Sequence, residues 1–257
     1  MISYAFGRGP FTSGNTESVA YVKTPYSPYA DPNWPDVEII QIALQAGDDP
    51  SPGTQSYYRM KSSIMNQYFK PLFNTRAFMY SPLLMHSRTK GSMKLKSTNP
   101  YDHPIFNYKY FEDERDLKAL AYGIQAAINI TGQKPFIDLG VEQYTVPLPG
   151  CETIEFNTIE YWQCYVRVLT TTFYHYINLA VVDRIESFQV GTCKMGPTSD
   201  PTTVVDARLR VHGMKNLRVV DVGIIPTPPS AHLAALAYMI GEKGADMIKQ
   251  DNGLANG

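Results

Sequence analysis

Polar and apolar side chains alternate in Ile105-Phe106-Asn107-Tyr108-Lys109-Tyr110, which is the pattern of a β-strand. The period then changes, because after Asp113, a candidate helix cap, apolar residues recur at the spacing of one helical face. These residues are Leu117, Leu120, Ala121, Ile124, Ala127 and Ile128. The stretch therefore predicts a strand followed closely by an amphipathic helix, which favours a fold that combines both.

Further strands are predicted on the N-terminal side of this stretch. Residues 1–35 are rich in Gly, Pro, Ser and Thr and are predicted to be loop, with one short apolar run at 19–22. Residues 36–44 roughly alternate and contain many β-branched side chains, as strands do. Residues 78–85 and 92–95 are separated by a polar, Gly-containing turn, so we expect them to form a hairpin.

The C-terminal side adds two more helices and several short strands. Asn157 and Glu160 resemble a capping box, and they precede an apolar stripe that predicts a helix running toward His175. A last helix is predicted from about Ala231 to Lys249. The short strands are predicted at 204–205, 209–211 and 217–220, with a turn at Gly213.

The order of these elements decides the fold class. Strands occur together with intervening helices and do not alternate regularly with them, so we expect an α+β fold and not a parallel, doubly wound one. A mostly antiparallel sheet with packed helices is the expected architecture. The hydrophobic content of 44% supplies enough apolar material for a sizeable core.

Charge and apolar runs exclude two classes of partner. The 257 residues carry 23 basic and 24 acidic side chains, a net charge of −1, which argues against nucleic-acid binding. The longest apolar runs stop well short of the ~20 residues of a membrane span. Residues 1–10 show neither a basic leader nor the apolar core of a secretion signal, so we expect no signal peptide at this N-terminus.

The three cysteines match no zinc or thiol-redox spacing, and no metal ligand set is expected. Their odd number fits a fold that does not depend on disulfides, although a bridge between Cys151 and Cys164 is an alternative in an oxidising compartment. Asn129-Ile130-Thr131 is a sequon for N-glycosylation next to a predicted helix end. Chance sequons are common, so the sequon alone predicts no modification.

Three of the five histidines are expected to be structural. His86 and His103 have no acidic or cysteine partner at ligand spacing, and His212 precedes Gly213 in a predicted hairpin turn. The other two lie at predicted helix ends, His175 after the helix that follows residue 157 and His232 before the last helix. Imidazole titrates near neutral pH, which makes it useful in catalysis without showing that it is used.

A longer signature lies around these two histidines. It comprises residues 190–197, 200–201 and 204–213 and the stretch Leu217-Arg218-Val219-Val220-Asp221-Val222-Gly223-Ile224-Ile225-Pro226-Thr227. These segments closely resemble the C-terminal signature of the glucose-methanol-choline (GMC) flavoprotein oxidoreductases, and most of all the insect glucose dehydrogenase-type branch. Residues 33–37 and 104–108 also resemble the substrate-binding domain of that family.

The resemblance implies an FAD enzyme that oxidises a small alcohol or sugar by passing hydride to the flavin. In the family, one histidine in a His-Pro-Val-Gly-Thr context takes the hydroxyl proton, and a second His or Asn hydrogen-bonds the same oxygen. These positions correspond to His175 and His232. The segment Asp221, Val222 and Gly223 matches the backbone that lies against the flavin, with Val222-Gly223 where the family usually has Ala-Ser.

Two departures from the family pattern bear on this assignment. Residues 176–189, fourteen in all, stand where the family has a single proline, either as an extruded surface loop or as mistranslated non-coding sequence. We favour the second, because a long insertion is hard to place beside a buried flavin. The glycine-rich βαβ unit that binds FAD in the family is not found, since the glycines at 7–14 lack a preceding strand and a following helix.

The resemblance thus predicts a substrate-binding-domain-like region at 1–165 and a C-terminal signature region at 166–257, without the N-terminal FAD-binding Rossmann part. An FAD-dependent oxidoreductase acting on CH–OH groups is the first hypothesis. The alternative is a truncated, catalytically inactive fragment that does not bind FAD by itself. Relatives of this type are often secreted, whereas localisation of this chain is left open.

Overall fold

In a computed structural model of the chain, the described residues are 6, 16–42, 61–73, 75–173, 176–178 and 190–254. They divide into two compact units. The first comprises the described residues up to Thr172 together with Tyr176–Asn178, and the second comprises Phe173 and residues 190–254. The glycine cluster at 7–14, which was predicted to be loop, lies outside the described residues.

The described residues of the first unit, with Phe173 at the end of the sixth strand, form seven strands and four helices. In chain order they are β1 (Thr16–Val22), β2 (Val37–Ile42), α1 (Ser62–Ile64), β3 (Met79–Leu84), β4 (Ser92–Lys94), β5 (Ile105–Asn107), α2 (Glu114–Thr131), α3 (Lys134–Asp138), α4 (Ile159–Leu169), β6 (Thr171–Phe173) and β7 (Tyr176–Asn178). Helix α1 continues into a π-helical turn, Met65–Phe69, and a 3-10 turn, Lys70–Leu72. Helices and strands are thus mixed along the chain without regular alternation.

Five of the described strands form one sheet in the order β1-β2-β3-β7-β6, and β4 and β5 form a separate two-stranded ribbon. Strands β1, β2 and β3 are antiparallel neighbours, with Val22 opposite Val37 and Val37 opposite Leu84. Strand β7 joins the other edge of β3, where Ile177 lies opposite Leu84. The predicted α+β class with a mostly antiparallel sheet is confirmed.

Strand β1 shows where the prediction of a loop for residues 1–35 was wrong. Its seven residues pair with β2, and only the four from Val19 to Val22 were recognised as an apolar run. The polar start of the strand gains its hydrogen bonds from a neighbour distant in sequence, which local patterning does not reveal.

Helix α2 packs on the sheet through a glycine. A Cβ atom added to Gly123 would lie 2.9 Å from Val37 Cγ1 and 3.2 Å from Pro82 Cβ, so the helix backbone touches β2 and β3 directly. The predicted apolar face of α2 enters the core, with Leu117, Leu120, Ala121, Ile124 and Ala127 buried and Ile128 partly buried.

The cap predicted for α2 is confirmed. Asp113 has an extended backbone, and its carboxylate accepts the N–H of Arg115 at 3.0 Å. Hydrogen bonds from the Arg115 side chain and backbone lower the pKa of Asp113 to about 2. The carboxylate therefore stays ionised at the positive end of the helix at any ordinary pH.

The predicted hairpin between residues 78–85 and 92–95 was wrong. Strand β3 pairs with β2 and β7, whereas β4 pairs with β5. Residues at the predicted turn instead form hydrogen bonds to the buried carboxylate of Asp116 on α2. This carboxylate accepts hydrogen bonds from Ser87 Oγ at 2.6 Å, Arg88 N at 2.8 Å and Thr89 N at 2.9 Å. These donors face the helix and cannot close a turn between the two strands.

Helix α4 differs from its prediction at both ends. Thr158 is the N-cap and accepts Tyr161 N at 3.2 Å, because Asn157 adopts a left-handed backbone with φ of 68° that an N-cap residue does not use. The Asn157 side chain accepts Trp162 Nε1 at 3.3 Å instead. The helix ends at Leu169, well before residue 175, because the threonines that follow favour the extended conformation of β6.

A disulfide joins Cys151 to Cys164, whose Cα atoms are 5.9 Å apart. Cys151 is fully buried, and Cys164 lies on α4. The Leu148 N–H donates to the hydroxyl of buried Tyr161 at 2.9 Å, which ties the start of the same loop to α4. The alternative of a bridge, raised from the spacing of the cysteines, is therefore the one that the structure contains.

The second unit has one long helix, α5 (Ala234–Asp251), and a chain of turns and isolated bridges in its described residues. Val205 bridges to Met195 and Val211, and Arg210 bridges to Arg218. The strands predicted at 204–205, 209–211 and 217–220 shrink to these single bridges. One cause is Leu209, whose φ of 64° interrupts extended backbone.

Among the described residues, no helix combines the length and the hydropathy needed to cross a membrane.

Candidate active site

The segment predicted to lie against a flavin forms one tight turn in the second unit. Residues Val222–Ile224 make a 3-10 turn, and the Asp221 carboxylate caps it by accepting Gly223 N at 2.7 Å. Val222 and Ile224 are each 4% exposed, whereas Asp221 is exposed. The two aliphatic side chains anchor the turn in the core, with the carboxyl-bearing residue at its exposed end.

A neighbouring segment holds the turn through its backbone. Cys193 N donates to Gly223 O at 3.0 Å, and Met195 N donates to Ile224 O at 2.9 Å. Two consecutive carbonyls of the turn are thus bound by N–H groups two residues apart in one neighbouring segment. Gly191, just before it, has a φ of 79°, a conformation that favours glycine.

Helix α5 fixes the chain that enters the turn. A Cβ atom on Gly244 would overlap Val220 Cγ1, so the helix backbone and Val220 are in contact. Arg218 forms an ion pair with Asp251 at the end of α5, and Arg208 donates to the same carboxylate at 2.6 Å. Sequence reasoning missed this anchor, because the partners are more than thirty residues apart and no local pattern links them.

His232 lies two residues before α5 begins and is exposed. The next residue, Leu233, is 1% exposed and belongs to the same buried cluster as Val222 and Ile224. Packing of this cluster therefore brings the Asp221 turn and the backbone beside His232 to one core. Two of the three predicted elements of the site, the turn and the second histidine, are thereby placed in one unit.

His175, the predicted base, lies outside the described residues, as do 179–189 of the proposed insertion. The first three residues of that insertion form β7 in the sheet of the first unit. The convergence of His175 with His232 on one substrate oxygen therefore stays a prediction.

The backbone N–H groups of the turn form hydrogen bonds within the turn itself. The N–H groups of Gly223, Ile224 and Ile225 donate to Asp221 Oδ1, Asp221 O and Val222 O at 2.7, 3.3 and 3.2 Å. The turn therefore presents a fixed backbone surface, and its side chains are engaged in the core or in the cap. Contact of a flavin ring with the backbone of Asp221, Val222 and Gly223 stays a prediction.

The remaining histidines lie in other surroundings. His86, which is 2% exposed, meets the rings of Tyr29 and Trp34 edge-on at centroid distances of 5.0 and 5.8 Å. Burial lowers the pKa of His86, while the nearby Asp36 carboxylate acts in the opposite direction. His212 Nε2 is 3.2 Å from Gly196 O, and it thereby ties two loops together.

Within the described ranges, no group of three or more His, Cys, Asp or Glu side chains is arranged to hold a metal ion.

Comparison with known proteins gives the family. The GMC oxidoreductase profile matches residues 87–241, which is more than half of the chain. Glucose dehydrogenase [FAD, quinone] of Drosophila pseudoobscura pseudoobscura is 37% identical over 177 residues, which cover 69% of this chain and 26% of that protein. Mitochondrial choline dehydrogenase of Mus musculus is 32% identical over 200 residues, covering 78% of this chain and 30% of that protein.

Solved structures agree in fold. A formate oxidase of Aspergillus oryzae RIB40 superimposes with a TM-score of 0.66 at 23% identity, over 97% of this chain and 41% of that one. Pyridoxine 4-oxidase from Mesorbium loti gives a TM-score of 0.57 at 21% identity, over 90% of this chain and 37% of that one. The chain spans between about a quarter and two fifths of the length of these proteins.

Proposed function

Because the chain belongs to the GMC oxidoreductase family, we propose that it is part of an FAD-dependent oxidoreductase acting on CH–OH groups. Family membership carries this proposal, since the matching profile covers the first unit from residue 87 onward and the Asp221 turn of the second unit. Residues 1–165 would contribute the substrate-binding region and residues 166–257 the C-terminal part that contacts the flavin. Small sugars and alcohols are the proposed substrates, in line with the names of the glucose and choline dehydrogenases.

Oxidation of an alcohol separates a proton from oxygen and a hydride from carbon. FAD, when bound, accepts the hydride. We assign the proton to the imidazole of His175, which acts as general base on the substrate hydroxyl. The N–H of His232 donates a hydrogen bond to the same oxygen and stabilises the negative charge that develops there. As the proton leaves, the electron pair of the O–H bond becomes available to form the carbonyl.

Two observations support the placement of His232 and the turn. The Asp221 turn is held on one side by Cys193 and Met195 and on the other by α5, so its backbone is a rigid surface. His232 precedes the N-terminus of α5, an 18-residue helix, whose positive end favours electron density on nearby groups. Rigid support of this kind is what a site for hydride transfer needs, because errors of about 1 Å in position are costly in rate.

The alternative function is that of a non-catalytic piece. The chain covers 26% of the glucose dehydrogenase that it resembles, and that protein's name includes FAD. In this alternative, the 257 residues do not bind FAD stably by themselves.

Flavin retention distinguishes the two functions. The chain is purified in the presence of FAD and desalted, and the absorbance of the flavin band is recorded. For the enzyme we expect retained flavin that bleaches when glucose or choline is added without oxygen. A colourless protein that nonetheless shows the folded circular dichroism spectrum would favour the non-catalytic piece.

For the chain that retains flavin, His175→Ala should lower the rate of anaerobic flavin reduction by about 100-fold or more, the usual scale for loss of a general base. His232→Asn should have a milder effect than His232→Ala, because an amide still donates a hydrogen bond. Stopped-flow absorbance measures both. His103→Ala is the matched control for loss of an exposed imidazole, and reduction at an unchanged rate in His175→Ala would remove that residue from the mechanism.

A further inference from the structure

The only Asn-x-Ser/Thr sequence in the 257 residues lies at the end of α2. It is Asn129-Ile130-Thr131, in which Ile130 satisfies the requirement that the middle residue is not proline. Asn129 is exposed. The third residue of the sequon, Thr131, donates a hydrogen bond from Oγ1 to Ile128 O at 2.7 Å within the last turn of the helix.

A cleft of about 330 Å³ opens beside Asn129 on the first unit. Its lining residues are Tyr122, Gln125, Ala126, Ile128, Asn129 and Asn157. Tyr122, Gln125, Ala126 and Asn129 are spaced three and four residues apart, so they share one face of α2. The cleft has the size of a small-molecule site, for which about 300–1,000 Å³ is typical.

The lining has the chemistry that recognises a sugar. Tyr122 offers an aromatic ring, on which the apolar C–H face of a pyranose stacks, and Gln125 and Asn157 offer amides for its polar groups. The Asn157 side chain is oriented by accepting Trp162 Nε1 at 3.3 Å, and the residue is exposed at the rim. An acetamido sugar attached to Asn129 would thus find both an aromatic surface and hydrogen-bonding amides within its reach.

The disulfide between Cys151 and Cys164 is an independent observation on the compartment. Disulfides persist in the endoplasmic reticulum and outside the cell and are rare in the cytosol, where thiols are kept reduced. Oligosaccharides are transferred to sequons in the same compartment where such bridges form. The bridge and the exposed sequon therefore point to the same route of synthesis.

We propose that Asn129 is an N-glycosylation site and that the first N-acetylglucosamine of its glycan lies in the cleft against Tyr122. In the transfer, Asn129 Nδ2 forms a bond to C1 of the sugar of a lipid-pyrophosphate-linked oligosaccharide. The bond between C1 and the phosphate oxygen breaks, the lipid pyrophosphate leaves with that electron pair, and one amide proton is released to a base. No atom changes its oxidation state overall, and no other co-reactant is needed.

Occupancy is tested on the full chain, residues 1–257, secreted by cultured insect cells behind a cleavable leader. We expect an intact mass that falls by one N-glycan on treatment with peptide-N-glycosidase, together with conversion of Asn129 to aspartate in the tryptic peptide. Asn129→Gln and Thr131→Ala should lose this mass change, whereas Thr131→Ser, which keeps the sequon, should retain it. A secreted chain with the 151–164 disulfide formed and residue 129 unmodified would overturn the proposal.

The position of the first sugar is tested after an endoglycosidase has trimmed the glycan to one N-acetylglucosamine. Stacking on an aromatic ring shifts the sugar proton resonances upfield from those of a free glycosylated tripeptide. We expect this shift in the wild-type chain and its loss in Tyr122→Leu, with Tyr101→Leu, which removes a ring exposed elsewhere, as the control. Resonances identical to those of the free tripeptide would overturn the placement in the cleft.

Discussion

His86 is a buried imidazole whose lowered pKa links proton uptake to unfolding. Its ordinary value is 6.5, and burial lowers it in the folded chain. Between the lowered and the ordinary pKa, the unfolded chain binds more protons than the folded one, so stability falls as pH decreases below about 6.5. For one proton the slope is at most about 1.4 kcal/mol per pH unit.

The prediction is that His86→Gln flattens the dependence of the free energy of unfolding on pH between 7.5 and 5. Urea titrations followed by circular dichroism at several pH values measure the slope. His103→Gln removes an exposed imidazole from the same unit and is the matched control. Parallel pH profiles for wild type and His86→Gln would show that this histidine is not the linked group.

At the scale of single residues, the sequence predicted what depends on near neighbours. The Asp113 cap was predicted because its partner lies two residues away. The cap of α4 was placed one residue early, since the left-handed backbone of Asn157 is not visible in a Ser/Thr/Asp/Asn pattern. The roles predicted for Asp221 and His232 came from the family resemblance, because an exposed imidazole has no sequence signature of its own.

Helix α2 lies so close to the sheet that position 123 has no room for a side chain. Gly123→Ala would place a methyl group against Val37 and Pro82 and push the helix away. We expect a loss of about 1–3 kcal/mol in the free energy of unfolding, the scale of overpacking. Gly241→Ala on α5 is the control, because nothing lies within 4 Å of its added Cβ and alanine favours a helix by about 0.5–1 kcal/mol. Equal effects at both positions would contradict close contact at Gly123.

At the scale of elements, the period of the hydrophobic residues predicted the long helices and β2. It was less reliable for predicting which strands pair with each other. Residues 78–85 and 92–95 contain strands as expected, yet Asp116 binds the residues between them and directs β4 to β5. A carboxylate nearly thirty residues away in sequence leaves no trace in the pattern of the turn that it binds. Partner choice is thus set by long-range polar contacts that only the folded chain brings together.

The two units differ in covalent support. The disulfide lies in the first unit, where it closes a loop with a sequence separation of 13 residues, whereas Cys193 in the second unit is free. Closing a loop of about 15 residues restricts the unfolded chain by an amount worth roughly 3 kcal/mol. The bridge should therefore stabilise the first unit selectively.

Replacement of Cys151 and Cys164 together by serine should lower the stability of the first unit by about 2–3 kcal/mol. Hydrogen exchange followed by mass spectrometry should show faster exchange in peptides from α2 and α4 and unchanged exchange in peptides from α5. Cys193→Ser is the control for loss of a thiol without loss of a bridge. Equal acceleration in both units would contradict a local effect of the disulfide.

The distribution of aromatic residues has a spectroscopic consequence. Both tryptophans, Trp34 and Trp162, belong to the first unit, and residues 190–254 contain a single aromatic side chain among Phe, Tyr and Trp, that of Tyr238. Indole fluorescence thus reports the unfolding of the first unit. The unfolding of the Asp221 turn and of the chain around His232 changes this signal very little. A denaturation curve recorded by tryptophan emission would therefore follow the first unit, which contains neither Asp221 nor His232. A tryptophan introduced at Leu236 would be needed to monitor the second unit.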